Sequence, residues 1–243
     1  MTHTLFSSEF AEACAGWGCP FCALAQNGVR RHLRSLLHEY VLAPDIHLRV
    51  ASSHGFCNVH GWLLQRTEQA LEHNSMGTAI LYASVLKHLV EDLDACLAKG
   101  RLRRTSFSAA ALLRLRPDQT CLACEREAEI ERHAMDAFIE HLTETGCEGT
   151  LAKRYADSGG ACLPHLGALL QMDPPEACAR WLVQVQRANA AILAEQLEKY
   201  AEMHDVKHKG EPMGAERDSC LRAIEHTVGK REVPLFHTAV RLR

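Results

Sequence analysis

The chain has 243 residues, with 27 Lys and Arg against 30 Asp and Glu, a formal net charge of −3, and 47% apolar residues. That balance is ordinary for a globular protein able to bury a core in one domain or two, and it supplies no positive field for nucleic acid or an anionic membrane. No uninterrupted apolar run approaches the roughly 18 residues of a membrane span, and Met1-Thr2-His3-Thr4-Leu5-Phe6 has no basic stretch leading into an apolar one; no signal peptide is read, and the expected location is cytoplasmic.

Residues 1–18 read as a short lead-in helix or loop closing on Gly16-Trp17-Gly18. Cys19-Pro20-Phe21-Cys22 follows, then Leu24, Val29, Leu33, Leu36, Leu37, Tyr40 and Val41 at helical spacing, a helix that Pro44-Asp45 is expected to end. A short segment around Ile46, Leu48 and Val50 reaches the turn Ser52-Ser53-His54-Gly55. Cys57-Asn58-Val59-His60 opens a second helix running to about Asn74. Gly77 precedes a third over 78–99, with Ile80, Leu81, Val85, Leu86, Leu89, Val90, Leu93 and Leu97 as its apolar face. Gly100-Arg101-Leu102-Arg103-Arg104-Thr105-Ser106 is a basic linker, read as solvated.

The second half repeats the plan. A short helix around Ala109–Leu115 precedes Cys121-Leu122-Ala123-Cys124, which leads into a helix closed by Thr145-Gly146. A segment around Leu151 and Tyr155 reaches the turn Asp157-Ser158-Gly159-Gly160, and Cys162-Leu163-Pro164-His165 opens a helix stopped by Asp173-Pro174-Pro175. A long helix spans 176 to about 204, and Met213-Gly214-Ala215-Glu216 opens a last one closing at Gly229-Lys230, before a loose tail. Arg49 and Arg154, Ser53 and Ser158, and Gly55 and Gly160 keep register with the two CxxH motifs at a constant offset of 105, so the halves read as an internal duplication. No run of alternating strand residues appears. The expected fold is all-α: two tandem, internally duplicated, metal-pinned helical repeats over 1–107 and 108–205, with a C-terminal helix and tail over 206–243.

Eleven cysteines in a reducing compartment argue for metal ligation over a disulfide framework. Six of them fall in the repeated CxxC and CxxH signature, whose halves are separated by 34 residues in the first copy and 37 in the second. Positions i and i+3 at a helix start share a face, and a helix N-terminus favours thiolate. Each copy is expected to supply its own closed Cys3His set, which is standard for structural zinc: Cys19, Cys22, Cys57 and His60 for the first ion, and Cys121, Cys124, Cys162 and His165 for the second. An iron–sulfur cluster is the alternative, placed behind zinc because cluster ligands are usually all cysteine and histidine is a minority substitute. Thiol redox chemistry at Cys19-Pro20-Phe21-Cys22 is a further one, though the βαβ context it needs is missing. Cys14, Cys96, Cys147, Cys178 and Cys220 show no paired spacing and are read mostly as small buried apolar residues.

The segments at 18–26 (GCPFCALAQ), 52–64 (SSHGFCNVHGWLL), 78–86 (TAILYASVL), 121–129 (CLACEREAE), 159–170 (GGACLPHLGALL), 203–211 (MHDVKHKGE) and 216–230 (ERDSCLRAIEHTVGK) resemble the bacterial and archaeal family DUF6062. The resemblance runs from about residue 17 to 230. It implies a conserved cysteine-rich helical protein and no established activity.

His204 and His208 lie one helical turn apart, beside Asp205 and Glu211, and are read as a polar connector; a metal pair is the alternative. His54 is read as a loop residue, with a place behind a metal ligand as the alternative. No Gly-rich phosphate loop, GxSxG or trusted carboxylate pair is present, so the reading leans away from an enzyme. It favours a zinc-stabilised scaffold whose partner is another protein, ahead of an electron-transfer or sensor protein carrying two clusters. Nucleic-acid binding rests only on Arg101, Arg103, Arg104, Arg114 and Arg116 and is disfavoured by the acidic balance.

Overall fold

The computed structural model describes residues 2–98, 106–208 and 211–230; most of the basic linker and everything after Lys230 lie outside them. Among the described residues the chain is all-α, as expected, with eleven α-helices and no strand. They are α1 (Thr2–Ala13), α2 (Pro20–Ser35), α3 (Pro44–Ser52), α4 (Asn58–Glu72), α5 (Met76–Ala98), α6 (Phe107–Arg114), α7 (Leu122–Thr145), α8 (Thr150–Asp157), α9 (Leu163–Gln171), α10 (Glu176–Glu202) and α11 (Ser219–Val228). No described helix is long and apolar enough to cross a membrane.

Three local expectations change. The helix after Cys22 ends at Ser35 and passes through one π-helical turn, Leu36–Tyr40. Pro44 then starts a helix instead of stopping one: it occupies the first turn of α3, where its missing N–H costs nothing and its fixed φ suits the helix. Asp45 adds a favourable charge to that turn, so the segment around Ile46, Leu48 and Val50 is helical. The last helix begins at Ser219, six residues after Met213.

The chain divides into two units. The first contains Met1–Gln26 and Glu129–Arg231, and the second contains Asn27–Ala128. Both boundaries fall inside helices, between Gln26 and Asn27 in α2 and between Ala128 and Glu129 in α7. The first unit is centred on Phe10, Phe21, Phe138 and Tyr155, all fully buried. Phe10 stacks on Phe138 at 4.7 Å and meets Phe21 edge-on at 5.5 Å; such pairs add roughly 0.5–1.5 kcal/mol each beyond the area they bury. The Tyr155 hydroxyl accepts the Ala161 N–H at 3.0 Å, which fixes the turn ahead of Cys162. The second unit packs Val29, Leu33 and Leu36 of α2 and the following turn against Leu63 and Leu64 of α4 and Leu81 of α5. The α5 N-terminus is held by the buried Glu68 carboxylate, which accepts the Gly77 N–H at 2.5 Å, the Thr78 N–H at 2.9 Å and the Thr78 hydroxyl at 2.6 Å.

Candidate metal centres

Four short motifs share one local build. Cys57 and Cys162 cap the N-termini of α4 and α9 with extended backbone (ψ 170° and 160°), which puts His60 and His165 in the third helical position. Cys19 and Cys121 directly precede α2 and α7, which puts Cys22 and Cys124 in the same third position. No cap side chain accepts a hydrogen bond at Cys57 or Cys162, so the sulfurs at these two helix starts are left for other partners. The positive end of each helix dipole faces the place where thiolate charge would sit.

The eight residues gather into two clusters, but the halves are exchanged relative to the expectation. Cys19 and Cys22 meet Cys162 and His165, whereas Cys57 and His60 meet Cys121 and Cys124. The first set belongs to the first unit and the second set to the second unit. The helix that follows each CxxC crosses from one unit to the other. α2 passes from the first unit into the second between Gln26 and Asn27, before Cys57 is reached. α7 returns it to the first unit before Cys162. Two backbone ties hold the exchanged halves. The Gly18 N–H donates to Ser158 O at 2.6 Å, and the Asp118 N–H donates to Ser52 O at 3.1 Å. Trp17 lies flat on Gly159, where a Cβ would stand 2.7 Å from the indole.

In the first centre His165 Nδ1 lies 3.5 Å from Cys19 Sγ, 3.4 Å from Cys22 Sγ and 3.1 Å from Cys162 Sγ, and Cys22 Sγ is 3.8 Å from Cys162 Sγ. In the second, His60 Nδ1 lies 3.3 Å from Cys57 Sγ, 3.8 Å from Cys121 Sγ and 3.3 Å from Cys124 Sγ, and Cys57 Sγ is 3.6 Å from Cys124 Sγ. Both imidazoles therefore present Nδ1 to the sulfurs. Their other nitrogens face carboxylates one helical turn apart on α7: His165 Nε2 is 3.3 Å from Glu131, and His60 Nε2 is 3.6 Å from Glu127. A metal-ligating histidine ordinarily hands its second nitrogen to such a group, which sets its tautomer and orientation. The sequence reading names neither glutamate; the signal available is the pair of carboxylates three and seven residues after Cys124, in CLACEREAEIE.

Protons are crowded in the first centre. Burial pushes the Cys19 thiol up to about 12. Cys22 is raised further, first through its hydrogen bond with Cys162. Cys162 receives hydrogen bonds from Cys19 and Cys22 and is held far below the ordinary thiol range. Burial opposes a charge on His165, yet its bonds to Cys162 and Cys22 and the Glu131 carboxylate outweigh it and push the imidazole up to about 12. Three thiolates at these distances require a cation. In the second centre burial raises Cys124, with the neighbouring Cys121 adding to it.

The remaining candidates stay outside the clusters. His204 Nδ1 bonds to Tyr200 O at 2.8 Å and His208 Nδ1 to Glu211 at 3.1 Å, so each has its own exposed partner. His54 takes a left-handed turn (φ 52°) and faces Asp92 at 3.7 Å, not a ligand. Of the five cysteines read as mostly buried, Cys14 and Cys178 are buried, Cys96 and Cys147 partly so, and Cys220 of α11 is exposed.

Residues 4–234 match the family model of DUF6062, described as a family of unknown function. No curated protein and no solved structure matches the chain significantly.

Proposed function

The chain belongs to the DUF6062 family, and from its two clusters we propose that it is a helical protein holding two zinc ions, one per Cys3His set, as structural pins of a scaffold that binds another protein. The observation that carries the reading is the spacing of the ligand atoms. A zinc tetrahedron with Zn–S of about 2.3 Å and Zn–N of about 2.0 Å has S···S edges of about 3.8 Å and S···N edges of about 3.5 Å. Cys22 and Cys162 Sγ stand 3.8 Å apart and Cys57 and Cys124 Sγ 3.6 Å, the six sulfur–nitrogen pairs span 3.1 to 3.8 Å, and all four ligand atoms of each centre lie within 4.8 Å of one another. Each zinc would neutralise thiolate charge and tie two helix starts together, α2 to α9 and α7 to α4. Four ligand atoms within 4.8 Å of one another suit one ion; an iron–sulfur cluster spreads its cysteines over several irons.

A protein partner is supported by apolar side chains left uncovered. Leu86, Val90, Leu93 and Leu97 recur at helical spacing along α5 and are exposed, as are Leu112 and Leu113 of α6.

Metal analysis with an absorbance spectrum, on protein purified without oxygen, tests the reading. About two zinc per chain and no visible band are expected. Iron with sulfide and a broad visible band would replace zinc by clusters, and protein free of metal would overturn the reading.

A further inference from the structure

The two centres differ in what covers them. All four ligands of the first are buried, Cys162 to 1% exposure. Its sulfurs also carry a main-chain cover. A Cβ at Gly229 would stand 3.3 Å from Cys162 Sγ and 3.4 Å from Cys22 Sγ, so the bare backbone there lies against both. Gly229 has φ 84° and ψ 163°, a conformation essentially reserved for glycine. The cover is anchored on both sides: the Gly229 N–H donates to Glu225 O at 3.0 Å, and the Gln26 side chain donates to Lys230 O at 2.7 Å. In the second centre His60 and Cys121 are buried, while Cys57 and Cys124 are both partly exposed, with their sulfurs 3.6 Å apart.

Resting on the zinc reading above, we propose that the Cys57–Cys124 pair is an oxidation site for peroxides, which releases the zinc of the second centre while the first keeps its own. Metal-bound sulfur is thiolate, the nucleophilic form of cysteine. One thiolate attacks the peroxide, the O–O bond breaks and a sulfenic acid forms; the second thiolate displaces its hydroxyl and closes the disulfide. In sum, two zinc-bound thiolates, one hydrogen peroxide and two protons give one disulfide, two waters and a free zinc ion. The sulfurs lose two electrons and the peroxide oxygens gain them. The S···S distance must shorten from 3.6 Å to about 2.05 Å, and a disulfide between these two residues joins the starts of α4 and α7, which the zinc joined before. The same reaction at Cys22 and Cys162 is blocked because the reagent cannot pass the Gly229 backbone.

The test uses full-length, zinc-loaded protein whose metal content is measured first. Hydrogen peroxide is added, released zinc is read with a chromogenic chelator, and disulfides are mapped by mass spectrometry after alkylation. The expected result is rapid release of one zinc of the two, a Cys57–Cys124 disulfide, and recovery on adding thiol and zinc. A Cys162→Ser variant, which loses only the first centre, should still release its one remaining zinc at the fast rate. Equal release from both centres, a Cys22–Cys162 disulfide, a Cys121–Cys124 disulfide, or zinc retained throughout would overturn the proposal while leaving the two-zinc reading in place. A preparation with no zinc before peroxide overturns both.

Discussion

Serine in place of Cys19 or of Cys162 should empty the same centre, although 143 positions separate the two residues. The double variant Cys19→Ser with Cys162→Ser should therefore retain about one zinc per chain, because the Cys57, His60, Cys121, Cys124 set is intact. Cys19→Ser with Cys57→Ser should lose both ions, since it breaks one ligand in each centre. Pairing within each repeat predicts the opposite for the two double variants, so metal content of the purified proteins decides between them. At this scale the sequence was legible where chemistry is local. A cysteine before a helix and a Cys or His three residues later share one face, and all eight candidate ligands follow from that rule. Which halves meet is not local. It depends on contacts such as the Gly18 N–H on Ser158 O and Trp17 on Gly159, and neither leaves a mark in the spacing of the motifs.

Helix α5 depends on a side chain outside itself. In its first turn the Met76 N–H donates to Asn74 Oδ1 at 2.9 Å, and the next two N–H groups, with the Thr78 hydroxyl, donate to the buried Glu68 carboxylate of α4. Gly77 is close-packed against that carboxylate, with a Cβ position only 3.0 Å from its oxygen. Glu68→Ala removes the acceptors and leaves buried donors bare, a loss of about 1–3 kcal/mol. Chemical denaturation should show the unfolding free energy falling by that amount and the midpoint falling with it, with zinc content unchanged because no ligand lies on that contact; an unchanged midpoint would contradict the capping role. The same logic explains where helix boundaries were misplaced. Pro44 reads as a stop because proline ends helices from the inside, but at a first turn it starts them. Long amphipathic stretches such as α7 and α10 were legible because apolar periodicity over more than twenty residues admits one reading. The nine residues of α3 and the eight of α8 offered too few turns for the period to show.

For the whole chain the two proposed pins are nested: the second centre lies, in sequence, inside the excursion closed by the first. Cys22 and Cys162 are 140 positions apart and Cys57 and Cys124 are 67. Closing the longer loop costs only about 0.7 kcal/mol more than the shorter, because the cost grows with the logarithm of length. Nesting therefore does not make one pin much more expensive than the other. What matters is the metal affinity that each adds. Structural zinc is worth on the order of 10 kcal/mol in small zinc-dependent peptides, while the net stability of a folded domain is roughly 5–15 kcal/mol. A ligand that binds only the folded form stabilises it by mass action, so even a fraction of the peptide value at each centre is comparable to the whole margin. Without metal, each centre also confines three sulfurs within 4.8 Å of one another, where burial opposes ionisation of Cys19 in the first and Cys124 in the second. Stripping zinc with a strong chelator under reducing conditions should lower the melting temperature by more than 10 °C, on the order expected when several kcal/mol are lost, and broaden the transition. Restoring two equivalents of zinc should bring back the original melt. Circular dichroism with and without chelator measures this, and a melt indifferent to zinc removal would mean that the helical cores, not the metal centres, hold the fold.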